Sequence, residues 1–338
     1  MITQEEVARE AGTSTAVVSY VVNNGPRKVS EATRKRVLDA VERLGYRPNA
    51  VARSLRSATS TTLGLIAADI TNPYCGEVAQ AVETSALERG YSLLLGNAMQ
   101  NDERQAKHLR TFIEQQVKGI IFAGSSVTNE AFLPATVAAL KGNKTPLIFL
   151  DRSASEIWGT SIIVDNRAGA FAGTTHLLDH GHTEVASFSG PLGLSAVRER
   201  QEGWEQALIA RGIEPDGQLN VQSNFDRYDA FRVAKMLLAT RKRPRAMFVH
   251  SDEQAIGILH AAAEAGVRVP EDVALVSFDG IREAGIISPG LTTVQQPIAR
   301  AGSLAVDLLL RAKPGEAMEL QSEMLPVELI IRHSCGCA

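Results

Sequence analysis

The chain has 338 residues, 44% of them apolar and 22% charged, with a formal net charge of −3, a size and composition suited to two or three globular domains. It has no apolar run of about eighteen residues and opens without a basic and then apolar leader, so neither a membrane span nor secretion is expected. Three cysteines, Cys75, Cys335 and Cys337, are too few for a disulfide framework and suit a reducing cytoplasm.

The first sixty residues carry ten Lys/Arg against six Asp/Glu, whereas the remainder carries 25 against 32. A basic head on an acidic body suggests that only the head meets a polyanion, although charge alone fits an ordinary solvated surface equally well. Thr3-Gln4-Glu5-Glu6 has the form of a capping box, which starts a helix at Gln4 that Gly12 ends. Ser14 caps a second helix with Val17, Val18, Val21 and Val22 at helical spacing. After the loop Asn23-Asn24-Gly25-Pro26, Ser30 caps a third helix, Glu31 to Leu44, with Val37, Leu38, Val41 and Leu44 inward and Gly45 as its stop. Two helices joined by Gly12-Thr13-Ser14 read as a helix-turn-helix. Its second helix would turn Thr15, Ala16 and Tyr20 outward, toward base edges in a major groove; Tyr20 could equally cover the domain's own surface. Arg34, Lys35 and Arg36 are phosphate candidates or a solvated helix face.

Tyr46 to Leu55 follows as a connector. Pro48 can precede or start a helix, Asn49 is a good N-cap, and Ala50 to Leu55 is too short to be helical alone in water. Its order must come from elsewhere. Ser57 to Thr62 reads as a linker.

From Leu63 short apolar runs alternate with amphipathic stretches. Strands are expected at 63–68, 92–95, 119–122, 147–150, 161–164, 185–188, 246–250 and 273–278. Helices are expected near 74–89, 103–117, 130–141, 167–180, 195–211, 227–240 and 253–265. Apolar strands joined by helices form parallel sheets, and two such series form two doubly wound lobes. Ligands in such folds bind at the carboxyl ends of strands, which marks Asn72 and Tyr74, Asp151, Ser251 with Asp252, and Asp279. Asp279 with Arg200 also fits a structural ion pair, and Tyr74 and Phe225 also fit plain core.

His176, His180 and His182 have a spacing that could suit zinc, but Gly181 looks like a helix stop and histidines suit the negative helix end, so no metal is expected. Cys335-Gly336-Cys337 reads as a loose tail. Dinucleotide, P-loop and nucleophile-elbow glycine motifs are missing, so no enzyme is expected, nor any cofactor. The chain ends without a leucine heptad, which argues against a coiled-coil tetramer.

Val7-Ala8-Arg9-Glu10-Ala11-Gly12-Thr13-Ser14, Val17 to Asn23, Val29 to Arg34 and Leu44 to Ala50 together resemble the lactose/galactose repressor (LacI/GalR) family, densely over the first 56 residues and more loosely beyond. The resemblance implies an α/β protein: a three-helix DNA-binding head over 1–46, a hinge helix and linker over 47–62, and a periplasmic-binding-protein-like body with parallel sheets over 63–334. Within the body it places one lobe at about 63–160 and 291–322 and the other at about 161–290 and 323–334, leaving 335–338 as a tail. It implies DNA contacts from Thr3, Ser14, Thr15, Ala16, Ser19, Tyr20, Asn23 and Arg34 in the head. In the hinge it implies Asn49, Ala52, Arg53 and Leu55, with Leu55 wedged into the minor groove of a palindromic operator and Ala52 permitting close approach of a homodimer's two hinges. Effector contacts are implied for Asn72, Tyr74, Cys75, Asp151, Arg200, Phe225, Ser251 and Asp279, with a sugar as first choice and a nucleoside or nucleobase next. Tyr20 stands where many members have arginine, Val17 where threonine is common, and Ser251 where some sugar-sensing members have asparagine. The expected function is a cytoplasmic transcriptional repressor under allosteric control. The alternative is a sugar-binding transport protein sharing the two-lobed body, which leaves the basic head unexplained.

Overall fold

The structure, a computed structural model, describes residues 2–23, 27–47, 60–124, 145–151, 160–240, 243–312 and 322–337. It divides into two compact units, residues 1–60 and 61–338. The expected hinge contacts Asn49, Ala52, Arg53 and Leu55 lie outside the described residues, as does the helix expected over 130–141.

The head consists of α1 (Gln4–Glu10), α2 (Thr15–Val22) and α3 (Glu31–Leu44). Each begins where a hydroxyl can accept an orphan backbone N–H: Thr3 from Glu6, Ser14 from Val17, Ser30 from Thr33. Glu6 completes the capping box by accepting from the Thr3 N–H at 2.7 Å. α3 ends at Gly45, whose φ of 62° is the left-handed cap that glycine takes without strain, and Tyr46 N–H reaches back to the Val41 carbonyl. Val7, Ala8, Ala11, Val18, Val21, Val37, Ala40 and Tyr46 form the core. Leu38 was expected inward but is 47% exposed, with Ala40 inside instead. At about 100° per residue the buried stripe runs 37, 40, 41, 44, and position 38 falls beside it.

Among its described residues the body holds two six-stranded sheets. The first, in the order β11-β5-β4-β3-β1-β2, contains β1 (Thr62–Ala67), β2 (Ser92–Asn97), β3 (Ile120–Ala123), β4 (Leu147–Leu150), β5 (Thr160–Val164) and β11 (Ser322–Leu325), all paired in parallel. The second, in the order β12-β10-β9-β8-β6-β7, contains β6 (Val185–Ser189), β7 (Asn220–Gln222), β8 (Ala246–Val249), β9 (Ala274–Asp279), β10 (Thr292–Gln295) and β12 (Glu328–Ile330), of which only β12 pairs antiparallel. The helices between them are α4 (Pro73–Glu88), α5 (Asp102–Glu114), α6 (Asn166–Asp179), α7 (Ser195–Ala210), α8 (Arg227–Leu238), α9 (Asp252–Ala265) and α10 (Ile298–Arg311). β3, β4, β6, β8 and β9 are buried along their whole length, as parallel strands covered on both faces must be.

The lobe boundaries differ from expectation at each crossing. Residues 161–164 belong to the first lobe because β5 pairs with β4 and β11, while 292–295 belong to the second because β10 pairs with β9. β11, at 322–325, lies in the first lobe, so the chain returns to the second only after Leu325. A fifth strand of one lobe looks in sequence like the first strand of the next, and hydrogen-bond partners alone assign it. Residues 335–337 are not a loose tail. Ser334 is fully buried, its hydroxyl donating to the Leu275 carbonyl and accepting from the Thr292 N–H, both at 2.8 Å, and Cys335 is buried behind it.

One close approach sets the cleft. A Cβ at Gly203 would stand 2.3 Å from the Arg167 carbonyl oxygen, so glycine lets α7 rest on the backbone of α6. Arg200 lies one turn earlier on α7.

Candidate functional site

In the head, Thr15 and Ala16 are exposed on α2, as the valine stripe requires, while Ser19 and Tyr20 are half-buried. Thr3 and Ser14 each spend a hydroxyl lone pair on capping. The Asn23 amide donates to the Ser19 carbonyl at 2.9 Å and to its hydroxyl at 3.2 Å. The Arg27 guanidinium lies 5.9 Å from the Tyr20 ring centroid, a cation–π distance. Among the basic residues of α3, Arg36 donates to the Ala11 carbonyl at 3.3 Å, closing the end of α1, and Lys35 pairs with Asp39. Arg34 is half-buried.

In the body, the carboxyl ends of both sheets face one cleft of about 580 Å³, counted to its solvent-open mouth. Asn72, Tyr74, Cys75, Asp151, Arg200, Phe225 and Asp279 all line it. Asn72 caps α4 through the Tyr74 N–H at 3.0 Å, which fixes the start of the helix that carries Tyr74. Its amide also reaches the Phe225 carbonyl of the other lobe at 3.4 Å. The Phe225 ring rests against Gly190, where a Cβ would come within 2.4 Å of it.

The polar centre of the cleft is a knot of acids around one arginine. Asp151 ends β4 with φ +62° and Asp279 ends β9 with φ +115°. Both lie in the region that L residues avoid, and aspartate tolerates the left-handed part of it better than most. Tyr74 makes a short hydrogen bond to Asp151 and lies 3.1 Å from Gln296 Oε1. Gln296 in turn donates to Asp279 Oδ1 at 2.8 Å. Arg200 donates from Nε to Asn166 Oδ1 at 2.9 Å and from Nη1 to the His250 carbonyl, lies 3.5 Å from Asp279, and stacks 3.7 Å over the Phe278 ring. Burial raises the pKa of Asp151, though the Tyr74 hydroxyl and Arg200 oppose it. Burial likewise pushes Asp279 up to about 8, against the pull of Arg200 and with the push of Asp252. Tyr74 is raised well above its usual value by burial and by Asp151, and the buried Cys75 thiol is pushed up to about 12. Cys75 is therefore a wall rather than a nucleophile.

Two sequence candidates fall elsewhere. The Ser251 hydroxyl caps α9, accepting from the Gln254 N–H at 3.2 Å, and does not line the cleft. Asp252 is fully buried, accepting from Ser277, Thr293 and the Ile281 N–H. A residue at a strand's end that begins a helix can be taken up by the cap, which the strand-end rule does not distinguish. Asp69, Gln100, Ala196 and Gln296 line the cleft without having been picked out. Gln296 follows β10, whose Thr-Thr-Val-Gln lacks the apolar signature by which the other strands are recognised.

The fold and the cleft define a class: a two-lobed ligand-binding body carrying a helix-turn-helix head. Residues 3–49 match the model of the bacterial regulatory proteins of the lacI family, and residues 174–335 match a periplasmic binding protein-like domain. The HTH-type transcriptional repressor PurR of Photobacterium profundum is 36% identical over 341 residues, covering 99% of this chain and 98% of its own. A lac repressor dimer bound to operator and the anti-inducer ONPF is 27% identical with a TM-score of 0.85, covering 99% of both chains. A complex of the transcriptional regulator CelR with cellobiose is 28% identical with a TM-score of 0.71, covering 99% of this chain and 100% of that one. The chain belongs to the lacI family of transcription regulators. Its relatives are regulators rather than enzymes, and the match of the head to that family disfavours the transport-protein reading. No helix among the described residues is long and apolar enough to cross a membrane.

Proposed function

We propose that this chain is a dimeric repressor whose affinity for a palindromic operator is set by a sugar held between the lobes. The observation that carries this is the facing pair Asp151 and Asp279, with Tyr74, Gln296 and Arg200 between them. Such a set offers acceptors and donors side by side, as a sugar's hydroxyls require, and bonds from the charged Arg200 are stronger than neutral ones. Phe225 supplies the apolar face on which a sugar ring rests. Binding closes the lobes, so it favours one geometry of the segment that joins body to head. Ligand and operator then alter each other's affinity by one coupling free energy. Thr15, Ala16 and Tyr20 read bases, with Ser14, Ser19, Asn23, Thr3 and Arg34 on the backbone; Asn49, Ala52, Arg53 and Leu55 act in the hinge.

The test is a fluorescence-anisotropy titration of operator fragments from upstream of the protein's own gene, repeated with a panel of mono- and disaccharides, nucleosides and nucleobases. A sugar that changes operator affinity at least about fivefold, the lower end of common allosteric couplings, is the expected result. A response to nucleosides or nucleobases alone would move the assignment to that class.

A further inference from the structure

Away from the cleft, four side chains of metal-binding chemistry converge on one point: His176 and His180 from α6, and Cys335 and Cys337 from the C-terminal segment. One ligand atom from each lies within 4.8 Å of all the others. We propose that this cluster is a closed Cys2His2 site for a zinc ion, which staples the C-terminal segment to α6.

The geometry carries the proposal. His176 and His180 are four residues apart, so their rings project from the same face on successive turns, with centroids 4.8 Å apart. His176 Nε2 lies 3.2 Å from Cys335 Sγ and 3.6 Å from Cys337 Sγ, and His180 Nε2 lies 3.2 Å from Cys337 Sγ. Zinc bonds of about 2.0–2.1 Å to nitrogen and about 2.3 Å to sulfur give N···S tetrahedron edges of about 3.6 Å, so these three separations need only a few tenths of an ångström of adjustment, and the widest, 4.8 Å, must close by about 1 Å. Gly336 makes the convergence possible. Its φ of +100° turns the backbone sharply between the two cysteines, in a region closed to most side chains, while nothing within 4 Å would obstruct a Cβ there. The requirement is conformational.

One neighbour of Cys335 suits a thiolate, while the Arg332 carbonyl, 3.5 Å from Sγ, accepts from the thiol of the metal-free chain. The Thr292 hydroxyl accepts from the Arg332 N–H at 2.8 Å, which leaves its own proton for Cys335 Sγ at 3.0 Å. A hydroxyl aimed at sulfur in this way is the outer support that zinc thiolates commonly have. Binding releases the two thiol protons to solvent and leaves both imidazoles neutral, so the loaded site carries no net charge. That neutrality suits a position with Cys335 buried, His176 and Cys337 half-buried and His180 at the surface. The sequence pattern hides the site, because 155 residues separate its two halves, from His180 to Cys335.

The test uses the full-length chain, without a polyhistidine tag and purified under reducing conditions. Elemental analysis should give about one zinc per chain, as one closed four-ligand site requires. Exchange for Co(II) should produce the intense visible bands of tetrahedral cobalt and a near-ultraviolet thiolate-to-metal band. Cys337→Ser and His180→Gln, both at accessible positions and each checked for folding by circular dichroism, should lower zinc affinity at least about tenfold. Removing zinc with a chelator should lower the Tm by about 5 °C or more in the wild type and leave the variants unmoved. A freshly purified wild-type chain with far less than one equivalent of zinc and no tetrahedral cobalt spectrum would overturn the proposal. So would a Cys335–Cys337 disulfide under those conditions, or variants that bind zinc as the wild type does.

Discussion

The head and the body build their working surfaces by opposite means. In the head, the side-chain hydrogen bonds that cap α1 and α2 are local: Thr3 with Glu6, Ser14 with Val17, Ser19 with Asn23. In the body the side-chain contacts of the cleft join distant positions, with Tyr74 meeting Asp151 77 positions away and Gln296 222 away, and Asn72 meeting Phe225 153 away. A surface made by local capping tolerates single changes at modest cost. A knot of buried polar groups assembled from both lobes does not, because each lost partner leaves another buried and unpaired.

The largest expected effect is therefore in the knot. Asp279→Ala should weaken sugar binding at least about a hundredfold, because a buried hydrogen-bond partner is lost and Gln296 and Arg200 are left without it, while operator affinity without ligand stays within about twofold. Isothermal titration with ligand and anisotropy with operator separate the two. Equal losses in both would mean that the knot serves the fold and not the ligand.

The same carboxyl predicts a pH dependence. Asp279 is raised from 3.8 to about 8, so the folded state keeps a proton that the unfolded chain gives up. Its stabilising contribution is whole below about pH 4 and is lost as pH rises through about 8. Asp279→Asn should flatten that decline in chemical-denaturation midpoints measured from pH 5 to 9; an unchanged profile would assign the proton to another member of the knot.

A smaller effect is expected at the helix contact one turn from Arg200. Gly203→Ala must push α7 off the Arg167 carbonyl and should cost about 1–3 kcal/mol of body stability, read from denaturant midpoints, with weakened ligand binding as Arg200 is displaced. The head sets the lower end of the scale. Ser14→Ala should cost about 1 kcal/mol of head stability through its lost cap, whereas Thr15→Ala, exposed and outside any cap, should leave thermal stability unchanged and weaken operator binding. If Thr15→Ala left operator affinity untouched, the outward face of α2 would have to be reassigned.

Much of this was legible before any coordinates. Capping hydroxyls and valine spacing at Thr3, Ser14 and Ser30 are local, and a helix start depends on residues within one turn, so all three head helices begin where the sequence placed them. Apolar runs likewise located eight of the body's strands: seven are largely buried, as strands covered on both faces must be apolar along their length, and the eighth, the edge strand β2, is half-exposed but carries Leu93-Leu94-Leu95. The polar β10 and the edge strands β7, β11 and β12 escaped that test. Asp151 and Asp279, marked by their places at strand ends, line the cleft, a position that topology makes meaningful in any doubly wound fold.

What only the tertiary structure decided is which distant residues became neighbours. Sequence could not assign β5 to the first lobe or β10 to the second, since strand pairing is chosen by hydrogen bonds between segments and not within them. Nor could it turn Ser251 from a cleft residue into a helix cap. The histidines of α6 and the cysteines of the C-terminus looked unremarkable apart, and only the path of the chain after β12 brings them within 4.8 Å. Periodicity reports the environment of one segment at a time; proximity is a property of the closed chain.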